Sequence, residues 1–159
     1  MRLQKATIFA LYAVLELATA PARQLTAVEI AEKYGISAHH LAKVLRDLGR
    51  AGLVDAVRGV GGGYRFVGNV KRLTLMDVIR VFEDIGAGTD PPQPRAAGQD
   101  IAEGLRFVLA EVDAQTGATL RSISLSTMLK LVARRPWVSV GEAGASGAKP
   151  ARRAARRVR

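Results

Sequence analysis

The chemistry this chain can do is set by four cationic or titratable side chains in one short stretch. His39, Lys43, Arg46 and Arg50 recur every three or four residues, so on a helix turning 100° per residue they share one side. Leu41, Val44, Leu45 and Leu48 follow the i, i+3, i+4, i+7 rule on the opposite side and must face a core. A basic stripe backed by an apolar one is a surface for polyanions, because guanidinium groups take phosphate oxygens or guanine edges two at a time. If such a helix enters a groove, its first residues meet base edges and its later ones meet the backbone. That assigns base reading to His39, His40 and Lys43, and phosphate contact to Arg46 and Arg50. An ordinary solvated helix face would carry the same residues, so the stripe alone does not decide.

The next residues add a second basic feature. Gly52 closes the helix, Leu53 to Val57 reads as a strand, and Arg58 stands before G-V-G-G-G, after which Tyr64 and Phe66 alternate with Arg65. Glycines at 59, 61, 62 and 63 permit φ > 0 and close approach to another surface. Arg58 at the tip of such a hairpin suits a minor groove, whose negative potential attracts arginine. A nucleotide-binding loop is disfavoured, since that fingerprint needs a helix directly after the glycines.

Local signals upstream position these groups. T-A-V-E at 26–29 is a capping box, Gly35 ends the helix that it opens, and Ser37 caps the next. A short glycine turn between two such helices is the mark of a helix-turn-helix. The capped N-termini at Thr26 and Ser37 are also places for a phosphate. The sequence predicts a mainly α fold with a small β-hairpin wing, with residues 1–85 as a winged helix-turn-helix DNA-binding domain. Arg2 joins the DNA-facing set, which comprises Arg2, Thr26, Ser37, His39, His40, Lys43, Arg46, Arg50, Arg58, Gly59, Gly61, Gly62, Gly63 and Arg65.

These residues carry a family resemblance. The opening M-R-L-Q-K-A-T, E-I-A-E-K-Y-G-I-S at 29–37, L-R-D-L-G-R-A-G-L-V at 45–54 and above all V-R-G-V-G-G-G-Y-R-F resemble the Rrf-two family of bacterial transcriptional regulators. That family includes an iron–sulfur cluster assembly regulator and a nitric-oxide-sensitive repressor. The resemblance implies a homodimer that binds a pseudo-palindromic operator in double-stranded DNA.

Composition agrees with a nucleic-acid partner. The formal net charge is +10 over 159 residues, an electrostatic footprint of that class. It is uneven: +4 over residues 1–85, +1 over 86–137 and +5 over 138–159. No paired carboxylates, no Ser/His/Asp set and no metal-ligand cluster argue for an enzyme.

Ile8, Leu11, Leu15 and Ala18 predict an amphipathic packing helix near the N-terminus. Tyr12 and Glu16 interrupt the apolar run and weigh against a secretory signal, and the run is too short for a membrane span, which takes about 20 apolar residues. A cytoplasmic protein is expected. Thr74 and Asp77 open a further helix with Leu75, Val78, Ile79 and Phe82 as its buried face. Residues 86–100 form a Pro/Gly-rich loop around D-P-P-Q-P, where helix is excluded. In the sensing relatives this loop carries the cluster-ligating cysteines. Here there is no cysteine in the chain, and such clusters need thiolates, so no cofactor and no metal are expected.

Residues 101–135 hold a dimerisation helix and a short docking helix. Ile101, Leu105, Val108 and Val112 repeat at heptad spacing, with Gly104 allowing close approach; the stripe reads as core or as a dimer seam, and the resemblance favours the seam. Leu125, Met128, Leu129 and Val132, capped by Ser124, suit docking on the partner's winged domain. Residues 136–159 read as a basic disordered tail. A small-molecule effector near Trp137 or the proline loop is compatible with the sequence, but no residue demands one. The reading is a sequence-specific regulator acting as a repressor. The alternatives are a non-specific architectural DNA binder and a winged-helix protein-interaction module.

Overall fold

The computed structural model describes residues 2–85 and 99–134. Six helices and one two-stranded sheet follow in the order α1 (Lys5–Thr19), α2 (Ala27–Tyr34), α3 (Ala38–Arg50), β1 (Val54–Val57), β2 (Gly63–Phe66), α4 (Leu75–Ile79), α5 (Gln99–Ser122) and α6 (Leu125–Arg134). The proline run, Trp137 and the basic tail lie outside the described residues.

The caps are where the sequence places them. Thr26 Oγ1 accepts from Glu29 N at 3.1 Å while the Glu29 carboxylate accepts from Thr26 N at 2.6 Å. Thr74 and Asp77 repeat the arrangement at α4. Gly35, at φ 63°, ends α2 in the left-handed conformation, and Ile36 N reaches back to the Ala31 carbonyl at 2.9 Å, the closing bond of a Schellman turn. Ser37 then caps α3.

α1 is the platform, but its most buried face is displaced by about one residue from the expected stripe. Thr7, Ala10, Ala13, Val14, Leu17 and Ala18 are buried, whereas Ile8, Leu11 and Leu15 are only partly covered. The helix is packed by α3, α4, β2 and α6, and alanines at 10 and 13 let those neighbours approach closely. Buried Thr7 is satisfied by donating to Glu83 Oε1, which also accepts from Gln4 N at 2.7 Å. Glu83, just past α4, thus caps a helix start that lacks a side-chain cap of its own.

α1 is also tied to the helix-turn-helix through Glu16. Its carboxylate takes Lys33 Nζ at 2.6 Å and the Tyr34 hydroxyl at 2.7 Å, and Tyr12 stacks on Tyr34 with ring centroids 4.8 Å apart. Desolvation would raise the Glu16 pKa, but the hydrogen bonds from Lys33 and Tyr34 and the charges of Lys33 and Arg23 outweigh it and hold it below 4.5. Desolvation and the Glu16 hydrogen bond push Tyr34 up. A carboxyl depressed by folding stabilises above its ordinary pKa, and that contribution is lost as pH falls through the lowered value. Glu16→Ala is therefore expected to cost about 1–3 kcal/mol at neutral pH, and to flatten the fall in stability below pH 4.5. Urea titrations of both proteins from acid to neutral pH test this.

The next helix departs from its expected face. α4 is short and buries Met76, Val78 and Ile79, with Leu75 and Phe82 only half covered; Met76 was absent from the expected face because the helix presents three sides to α1 and α5 within five residues. The start of α6 packs on the body of its own chain. Leu125 is fully buried in this chain's core and Leu129 packs against that core, because Ser124 pairs with Thr74 in an isolated bridge that fixes α6 beside α4.

Candidate nucleic-acid interface

α3 presents the two faces its spacing predicts. Leu41, Val44, Leu45 and Leu48 are at most 2% exposed, and His39, Lys43, Arg46 and Arg50 are all exposed. His40 stands a quarter turn from that stripe, with its ring edge-on to Phe9 at a centroid distance of 5.4 Å. The helix ends through Gly52, at φ 72°, with Leu53 N donating to the Leu48 carbonyl at 3.0 Å. This turn sends the chain directly into β1.

β1 and β2 pair antiparallel, Val54 opposite Phe66 and Val57 opposite Gly63. Phe66 points into the core and Arg65 out of it, where its guanidinium meets Asp55 at 3.0 Å. Val60 at the tip is fully exposed, and Arg58 beside it is exposed and has no ion-pair partner among the described residues. The hairpin and the second half of α3 flank a cleft of about 380 Å³ lined by Arg46 and Arg50 on one side and by Asp55, Ala56 and Tyr64 on the other. The second half of the helix stripe and the strands of the hairpin therefore share one cleft.

The glycines serve two different purposes. Gly59 and Gly61 take φ values of 109° and 76°, as the loop turn requires. Gly62 and Gly63 do not. A Cβ on Gly62 would lie 2.4 Å from the Val57 carbonyl oxygen, and one on Gly63 would lie 2.7 Å from that of Leu25. Leu25 and Tyr64 exchange backbone hydrogen bonds at 3.0 and 2.8 Å, so the segment before α2 lies against the wing as a third strand of one residue. Their glycine identity is thus explained inside the chain.

The helix N-termini also differ. At α2 the Glu29 carboxylate already occupies the anionic place. Backbone and side-chain hydrogen bonds from Thr26 and the charge of Arg23 hold its pKa down against desolvation. A phosphate there would meet a charge of its own sign. At α3, Ser37 caps His40 N at 3.4 Å and no acid sits in the first turn, so of these two ends this is the one that suits a phosphate. Arg2 is exposed at the start of α1.

Sequence reading missed the acids among these cations. Asp47 Oδ1 lies 3.6 Å from Arg46 Nε and 3.4 Å from Arg50 Nη1. The i, i+3 spacing of Asp47 and Arg50 is the visible signal for it.

α5 carries a second exposed surface, and this one is apolar. Ile101, Leu105, Val108 and Val112 are 80, 49, 55 and 54% exposed, and Gly104 has open space where a side chain would be. At 100° per residue these four point about a quarter turn away from the face that α5 lays on its own body. Gly117 is the only fully buried residue of that helix, with Met76 Cε at 3.2 Å from the place of its Cβ. No described helix is long and apolar enough to cross a membrane.

Three comparisons with known proteins bear on this geometry. Residues 3–131 match a family model described as Rrf2, iron-dependent transcriptional regulator. A protein of Rhodopseudomonas palustris described as an HTH-type transcriptional regulator, BadM, is 52% identical over 132 residues, covering 83% of each chain. Among solved structures, CymR, the global cysteine regulator of B. subtilis, superposes with a TM-score of 0.69 at 23% identity, covering 82% of this chain and 97% of its own. T. potens IscR gives 0.60 at 25% identity, covering 87% and 93%. The donor set does not fit the iron of the family description: the chain has no cysteine, and the described residues hold no group of three or more His, Asp or Glu side chains placed to bind a metal. The winged helix-turn-helix, its capped recognition helix and the match over most of the chain converge on one identification, that this protein belongs to the Rrf2 family of transcriptional regulators.

Proposed function

We propose that the protein is a homodimeric, sequence-specific repressor that grips a pseudo-palindromic operator without an iron–sulfur cluster. Two α3 helices enter successive major grooves about one helical turn apart, and the wings reach the flanking minor grooves. The observation that carries this is the shared surface of α3 and the hairpin, with Arg46 and Arg50 on one wall of the cleft and Arg58 at the neighbouring tip. The exposed stripe on α5 supports the pairing, and the missing thiols support a regulator that does not sense through a cluster.

Selection of bound duplexes from a randomised pool, followed by footprinting, tests the reading. The expected result is an inverted repeat with half-sites one turn apart, bound by two chains. Recovery of unrelated sequences would indicate an architectural binder, and no duplex affinity in moderate salt would indicate a protein-docking module. Arg58→Ala is expected to weaken the selected duplex by about 1–3 kcal/mol if the side chain makes a specific contact. A gel shift unchanged by this substitution would remove the wing from recognition.

The tail, outside the described residues, contributes by charge alone in this reading. Deleting residues 149–159 removes five arginines and one lysine. It is expected to weaken selected and scrambled duplexes about equally and to flatten the dependence of log K on log salt. An unchanged slope would leave the tail no part in binding.

A further inference from the structure

We propose that Asp47 is a specificity-determining residue of this surface, an inference that rests on the DNA-binding reading above. Asp47 is the only acidic residue of α3. Its Oδ1 holds both guanidinium groups that line the cleft, Arg46 Nε at 3.6 Å and Arg50 Nη1 at 3.4 Å. The arginine side chains are 58% and 71% exposed and Asp47 38% exposed, and ion pairs that open to water contribute little to stability. Folding therefore does not account for an acid set about a fifth of a turn from the centre of a basic stripe.

Two opposing effects follow from its position. A guanidinium already held by a carboxylate gives up less rotamer freedom when it meets a fixed acceptor. That benefit appears only where a base edge or phosphate lies on the line the held group takes. The negative charge, in contrast, opposes phosphates on every duplex, whatever its sequence. Random binding is penalised throughout, while a matched site recovers the loss through preorganised arginines. Specificity is a difference of affinities, and a repulsive element that acts mainly on the wrong partner enlarges that difference.

The test uses the full-length protein, the best duplex recovered from a randomised pool and a scrambled duplex of equal composition, titrated over a series of potassium chloride concentrations. Asp47→Asn is expected to tighten the scrambled duplex by about five- to tenfold and to leave the selected one within about twofold, with a salt slope on scrambled DNA steeper by about one. Asp47→Glu, which keeps the charge, is expected to restore most of the discrimination and the shallower slope. Glu103→Gln, on the exposed part of α5, makes the same change in net charge and should alter neither. Equal tightening of both duplexes by Asp47→Asn, or discrimination equal to wild type, would overturn the role given to Asp47. If wild type itself fails to separate the two duplexes, the DNA-binding reading is what fails, and the two failures are distinguishable.

Discussion

With glutamate at both Leu105 and Val108, the protein is expected to run as a monomer and to lose at least about a hundredfold in operator affinity, since linking two half-site contacts gains roughly 10²–10⁴ over one. Both side chains stand about half exposed on α5. In a two-fold pair each substitution counts twice, and an unpaired carboxylate in an apolar seam costs several kcal/mol. The folded body should be indifferent, because neither residue touches its core. Sedimentation equilibrium reads the association and gel shifts read the affinity. A dimer that persists would move the seam off this stripe, most directly to the side of α5 where Phe107 is 75% exposed.

Gly63→Ala is expected to destabilise the subunit by about 2–3 kcal/mol, the cost of forcing a methyl group into a filled site. The obstacle is the Leu25 carbonyl, 2.7 Å from the new atom, and backbone cannot rotate aside as a side chain can. Relief requires the wing to leave Leu25, which breaks the paired hydrogen bonds at 2.8 and 3.0 Å and tilts the hairpin away from α3. Operator affinity should fall along with stability. Gly61→Ala is the useful contrast: its φ of 76° carries strain but open space surrounds it, so about 1–2 kcal/mol is expected with the wing still seated. Equal losses at the two positions would mean that the contact with Leu25 holds nothing in place.

Much of the basic helix face was legible because it rests on local rules. Thr26 with Glu29, Gly35, Ser37 and Gly52 each signal a cap within four residues, and the leucines of α3 repeat at a helical period. The hairpin was visible for the same reason, with Tyr64, Arg65 and Phe66 alternating. What escaped depends on partners distant in sequence. Nothing near Gly63 tells of Leu25, nothing near Thr7 tells of Glu83, and nothing near Leu125 tells of Leu73, whose carbonyl accepts from its backbone. The face of α1 slipped because a helix packed on several sides has no single apolar stripe for periodicity to find. Asp47 was overlooked for a different reason: a stripe read for its positive charges hides the acid at its edge.

α5 is anchored at one end, through Gly117 against Met76 and through α6, whose Leu125 sits in the same core as α1. The core described for one chain thus already includes the start of α6. If α5 joins two copies as proposed, substitutions along its exposed half would alter who pairs with whom without taxing the rest of the molecule. Sister regulators sharing a cell could diverge there and keep their subunits from mixing.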